Sequence, residues 1–149
     1  MKISPTALLP LLALTVSSPA QTLYWDNAGG TANDRGSLAN WSTDVAGGVD
    51  PAVLPTVTDT VVFSATSVAA AQTVNLSAAR SVLGLSFTSG QAHSLLGGGT
   101  NQILTLGAGG MIKSGTGAIT LGSATAGQQV ALALGAAVAS RLANRVVRM

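Results

Sequence analysis

The chain has no cysteine and no glutamate among its 149 residues. The first absence removes any disulfide framework and any thiolate site, a usage that suits an exported protein held together by packing alone. The second leaves five aspartates as the whole acidic inventory, none of them beyond Asp59. Charged residues of both signs make up only 8% of the chain, against roughly a quarter in ordinary globular domains. With 47% apolar residues this scarcity does not describe a charge-driven disordered chain, which needs low hydrophobicity together with high net charge. The formal charge of +2 is also misleading as a guide to partners. Arg141, Arg145 and Arg148 cluster near the C-terminus and Lys2 lies in a leader, which leaves Arg35, Arg80 and Lys113 against all five aspartates in between. That central part is mildly acidic, so nucleic acid is not an expected partner.

What the chain does have is glycine, 18 residues of it, set between short apolar alternations. The stretch from Leu104 to Leu121, LTLGAGGMIKSGTGAITL, holds one unit twice: Leu104-Thr105-Leu106-Gly107 and Ile119-Thr120-Leu121-Gly122. Period-2 alternation puts the two apolar residues of each unit on one face and the threonine on the other, the pattern of a half-buried strand. Glycines at 107, 109, 110, 115, 117 and 122 predict sharp turns between successive strands. Further short β-type runs fall at 60–63, 73–76, 81–87, 94–96, 103–106, 118–121 and 130–134, at the spacing of an all-β domain. Two or three such strands make one coil of a solenoid, so the expected fold is an all-β, right-handed parallel β-helix of about three coils.

Four regions follow. Residues 1–20 carry one lysine, an apolar run from Ala7 to Val16 and the small-residue end Ser18-Pro19-Ala20. This is the layout of a secretory signal peptide cleaved after Ala20, and the run is short of the roughly 20 residues needed to span a bilayer. The expected location is therefore outside the cell, at its surface or associated with an outer membrane, with membrane contact only through export. Residues 21–59 hold both tryptophans, the only tyrosine and every aspartate, and read as an N-terminal cap on the stack. Residues 60–135 are the repeats. Residues 136–149 are rich in alanine, lack glycine and are consistent with a helix bearing Val138, Leu142 and Val146 on one stripe.

The segment GAGGMIKSGTGAITLG, Gly107 to Gly122, resembles the autotransporter-associated β-strand repeat, a glycine-rich turn followed by apolar-Lys-Ser-Gly-x-Gly and apolar-Thr-Leu. Upstream, YWDNAGG, ANW, DTVVF, VLGLSF and LTLGAGG look like the N-terminal part of large secreted bacterial proteins built from such repeats. The resemblance runs from about Tyr24 to Ala133. It implies a parallel β-helix passenger displayed at or released from the cell surface, usually followed by an outer-membrane barrel. Arg35 stands where the family often has an aromatic, and a single clear Lys-Ser-Gly-x-Gly unit is present where the family often has many. The chain is accordingly expected to be a fragment of a longer repeat protein.

The chemistry-bearing residues are few. Asp26, Asn27, Asn33 and Asp34 could offer oxygens to calcium, but their spacing matches no calcium loop, and Asp and Asn beside Gly29, Gly30 and Gly36 are the residues of turns. His93 has no cysteine or glutamate to join it at a zinc site and no Gly-x-Ser-x-Gly elbow to serve, which predicts a surface turn or strand-edge histidine. Trp25 and Trp41 are the candidates for stacking on sugar rings, against a hydrophobic capping role. No catalytic residue, cofactor or metal is expected. Three functions compete: a non-enzymatic structural or adhesive segment that meets surface glycans or surface proteins and self-associates through an open β edge; a carbohydrate-binding module using Trp25 and Trp41; and a polysaccharide-cleaving β-helix enzyme, for which Asp34 or Asp59 would supply the acid.

Overall fold

Alternating apolar residues separated by glycine turns assemble here into two stacked sets of strands. The computed structural model describes residues 19–29 and 33–135, so the leader and the C-terminal segment, with its expected helix, lie outside the described residues. The strands are β1 (Thr22–Trp25), β2 (Trp41–Ser42), β3 (Thr60–Phe63), β4 (Gln72–Asn75), β5 (Arg80–Phe87), β6 (His93–Leu96), β7 (Gln102–Lys113), β8 (Ile119–Leu121) and β9 (Val130–Leu134). One turn of 3-10 helix at Leu38–Asn40 is the only helical element among the described residues, and the domain is all-β. Every strand expected from residue 60 onward is present, with ends shifted by a residue or two except in β7.

From β3 on, consecutive strands alternate between two sheets. The first has the order β2-β1-β3-β5-β7-β9 and the second β4-β6-β8. All pairings are parallel except β1 with β2, so the first sheet is mixed, and neither sheet closes on itself. Thr60 lies opposite Gly84, Gln72 opposite His93, His93 opposite Ile119 and Gln102 opposite Val130, offsets of 24, 21, 26 and 28 residues. A strand-turn-strand unit of about two dozen residues is thus laid on its predecessor with little change of length.

Register turns this stacking into apolar columns. Leu23, Val61, Leu85 and Met111 form one, Val82, Leu106 and Leu134 another, and Val74, Leu95 and Leu121 a third contributed by the second sheet. The rings of Trp25, Phe63 and Phe87 form an aromatic column, in which Phe63 and Phe87 stack with centroids 4.6 Å apart and planes 5° from parallel. Burial of these side chains is the main stabilising term, since the chain has few ion pairs to offer.

Two expectations are corrected. The region taken as a cap contributes a true member of the first sheet: β1 pairs in parallel with β3, and only β2 turns back antiparallel to end the sheet. Residues 33–35 likewise add a short rung to the second sheet, through the Asp34–Asn75 bridge. Gly107, Gly109 and Gly110, expected at a sharp turn, instead lie inside the 12-residue β7. There the register against β5 shifts between Val82 and Gly84, and Gly109 Cα comes so near the β5 backbone that an added Cβ would sit 2.9 Å from the Leu83 carbonyl oxygen. These glycines serve a bulge and close strand approach.

Candidate functional site

The tryptophans are where the cap and the stack meet. Trp25 ends β1 and Trp41 begins β2, and their antiparallel pairing brings the two indoles edge to face, 5.1 Å apart and inclined at 80°. Both are fully buried. A sugar ring needs an open aromatic face, which neither Trp25 nor Trp41 presents: Phe63 packs on Trp25, and Arg35 lies over Trp41.

Arg35 covers the outer indole with a flat group. Its guanidinium lies over the Trp41 ring at 5.4 Å from the centroid, while the Trp41 Nε1–H donates to the Arg35 carbonyl at 3.0 Å. Burial, and secondarily the Arg80 charge, push the Arg35 pKa down to about 9, and Nη2 has no hydrogen-bond partner. The group is still charged at neutral pH, and the cation–π contact is the compensation available to it. Its contact with Trp41 is one that no local sequence pattern signals.

The oxygen-bearing side chains of the cap are engaged in turns. Asp26 Oδ1 accepts from the Ala28 N–H at 3.2 Å and Asp34 Oδ1 from the Gly36 N–H at 2.8 Å. Asn27 and Asn33 both adopt left-handed backbone, with φ of 53° and 54°, and Asn27 Nδ2 donates to Asn33 Oδ1 and to Gln72 Oε1. This is the turn chemistry favoured from sequence. Among the described residues no group of three or more His, Cys, Asp or Glu side chains is placed to hold a metal ion.

Asp59 is a staple. Its Oδ1 accepts from the Gln21 N–H at 2.8 Å, and its Oδ2 from the Thr56 N–H at 2.7 Å and the Thr56 hydroxyl at 2.6 Å. Burial works to raise its pKa, but the bonds from Thr56 and Gln21 outweigh it and hold the carboxyl below its usual value. Three donors on one carboxylate tie the start of the described chain to the entry of β3.

His93 departs from expectation. It is 2% exposed, faces the interior from β6, and lies 5.2 Å from the Phe63 ring and 6.0 Å from the Phe87 ring. Neither ring nitrogen has a hydrogen-bond partner. The signal was present in the sequence: His93-Ser94-Leu95 aligns with Ile119-Thr120-Leu121, and a residue two before an inward leucine also points inward.

The two ends of the stack differ. At the N-terminal end β2, the 3-10 turn and the buried indoles close the columns. At the other end, among the described residues, the columns become more exposed: Leu85 is 2% exposed but its successor Met111 is 37% exposed, and Leu106 at 1% gives way to Leu134 at 43%. A concavity of about 460 Å³ opens there between residues 121–124 and 129–131. Among the described residues β8 and β9 are the last strands of their sheets, and β9 pairs with the first part of β7, from Gln102 to Leu106, leaving the rest of β7 without a partner on that side. A second hollow of about 410 Å³ lies beside Tyr24, lined by Gln21, Thr22 and Thr43. Among the described residues no helix is long and apolar enough to cross a membrane. No family model, no curated protein and no solved structure matches the chain.

Proposed function

We propose that the chain is a non-enzymatic, exported β-solenoid segment with a structural or adhesive role, wound as a right-handed parallel β-helix of the autotransporter-associated type. The observation that carries this reading is the alternation of strands between two sheets, each strand pairing in parallel with the one a rung later, from one closed end to one open end. Such an arrangement presents surface and transmits length. The open end is suited to a further rung, another surface protein or a second copy, since unpaired strand edges and uncovered apolar columns are what β-stacking consumes. The buried indoles argue against the carbohydrate-binding alternative in its tryptophan form, and the hydrogen bonds that occupy Asp59 argue against its use as a cleaving acid.

Three experiments test this. Duplicating residues 84–109 in frame inserts one rung, because Gly84 and Gly110 are register partners. The melting temperature is expected to rise, as each added rung brings one more interface; an insert that unfolds the protein overturns the solenoid. For role and location, the full chain expressed in a Gram-negative bacterium is expected outside the cytoplasm with Gln21 as its first residue. Retention inside the cell with Met1 intact overturns export. Reducing-sugar release from polysaccharide that is lost on Asp34→Asn or Asp59→Asn overturns the non-enzymatic assignment.

A further inference from the structure

The stack contains one ionisable side chain at a position where every neighbouring column residue is uncharged. His93 occupies an inward site whose register partners are Gln72 on β4 and Ile119 on β8, and the rings of Phe63 from β3 and Phe87 from β5 lie against it. None of these four titrates. On the adjoining rungs the charged groups are engaged away from the ring: Lys113, the register partner of Phe87, whose Nζ donates to the Gly115 carbonyl; Asp26, one residue past Trp25 and held by the Ala28 N–H; Arg80 at the first position of β5, whose Nε donates to the Leu76 carbonyl; and Asp34 and Arg35, which meet Asn75 at the end of β4 away from Gln72. No carboxylate is hydrogen-bonded to the imidazole, and Asp59 is spent on Gln21 and Thr56 at the opposite end of β3.

We propose that His93 is a built-in acid sensor: protonation of its imidazole is incompatible with the closed aromatic column, so acidification loosens the stack between the cap and the later rungs. The geometry carries this. An imidazolium has two N–H donors, both nitrogens here are buried, and neither meets an acceptor. A charged ring in that place is left desolvated and unpaired, a state that proteins avoid by staying neutral or by opening. The protein thus holds its columns shut at neutral pH and yields in a mildly acidic compartment or medium, a response that goes beyond a structural or adhesive role.

The sign follows from burial, which lowers the His93 pKa from its ordinary value of 6.5. A depressed folded pKa means that the unfolded chain binds the proton first. The stability contributed by the neutral ring is fully present above pH 6.5 and is lost as pH falls below that value toward the folded pKa. Asp26 acts in the opposite sense: burial chiefly, against the Ala28 hydrogen bond, raises its pKa, so its neutral form favours the fold as the pH drops. It does not account for a loss in this window.

His93 is the only histidine, so its ring protons titrate in isolation by NMR. In the full chain the folded-state midpoint is expected below 6.5, and a midpoint at or above 6.5 overturns the proposal. In urea, the unfolding equilibrium constant is expected to rise by up to about tenfold for each pH unit below 6.5 until the folded pKa is reached. His93→Leu, which copies the neighbouring apolar rung, and His93→Phe, which extends the aromatic column, are both expected to flatten the profile between pH 7 and pH 5. A slope that persists in the variants, or a wild-type profile that is flat over the same range, refutes the sensor.

Discussion

Phe63→Ala is expected to cost about 3 to 5 kcal/mol and to leave the protein at the margin of folding. Phe63 is 1% exposed and touches three other rings: Phe87 stacked at 4.6 Å, His93 tilted at 5.2 Å and Trp25 tilted at 6.5 Å. It is the link through which the Trp25–Trp41 pair of the cap is joined to the rungs above. Truncation removes the transfer free energy of the ring and leaves a cavity between two sheets whose strands, fixed in register to both neighbours, have little freedom to collapse. Aromatic pair terms of about 0.5 to 1.5 kcal/mol each are lost as well. Val62→Ala, one residue away on the opposite, half-buried face of β3, is the comparison and should cost far less. Urea denaturation followed by tryptophan fluorescence measures both, because Trp25 reports on the contact directly. A Phe63→Ala loss under about 1 kcal/mol would show that the aromatic column is not what joins cap and stack.

Much of this architecture was legible because strand alternation is a local property. Thr60 to Phe63 and Val130 to Leu134 were bounded correctly from residue types alone, and the inward leucines of β7 were identified by period. The errors came where structure depends on a distant partner. Tyr24-Trp25 has no alternating run around it, and it becomes a strand because β2 and β3 supply edges on either side. The middle of β7, Gly107-Ala108-Gly109-Gly110, has almost no side chains to show a period and reads as a turn, whereas the strand bulges there and resumes its register with β5 at Gly110. Trp25 and Trp41 looked available for sugar because their exposure is decided by Phe63 and Arg35, neither of them a sequence neighbour. His93 was misplaced for a different reason. Its chemistry suggested a surface, and its position two residues before Leu95 suggested the interior; in a stacked fold the position decides, since the rungs above and below leave the side chain nowhere else to go.

The Lys-Ser-Gly-x-Gly unit from Lys113 to Gly117 has a physical explanation, and it leads to the second large effect. Gly117→Ala is expected to destabilise by about 3 kcal/mol or more, at the upper end of overpacking costs, because the group it would strike is main chain. The turn at residues 114–118 lies on the turn of the previous rung at residues 88–92, and the two backbones touch: Ser114 and Gly115 N–H both donate to the Phe87 carbonyl at 3.0 Å, and His93 N–H to the Ala118 carbonyl at 2.8 Å. A Cβ at Gly117 would lie 2.5 Å from the Gln91 carbonyl carbon and closer still to its oxygen, and 3.0 Å from the Gly90 carbonyl carbon. Gly115 is constrained in the same way by the Thr88 and Ser89 backbone. No rotamer change relieves such a contact; the turns must separate, and the hydrogen bonds that bind β8 to β6 go with them. Gly90, in the equivalent turn one rung earlier, gives the control. A Cβ there would meet only the Thr116 hydroxyl, at an ordinary 3.5 Å, so Gly90→Ala should change stability by less than about 0.5 kcal/mol. Thermal melts of the two variants decide the matter. Equal melting temperatures would mean that the glycine pair is spacing in a loop, whereas a deep loss at Gly117 alone means that rung-to-rung backbone contact selects glycine in this motif.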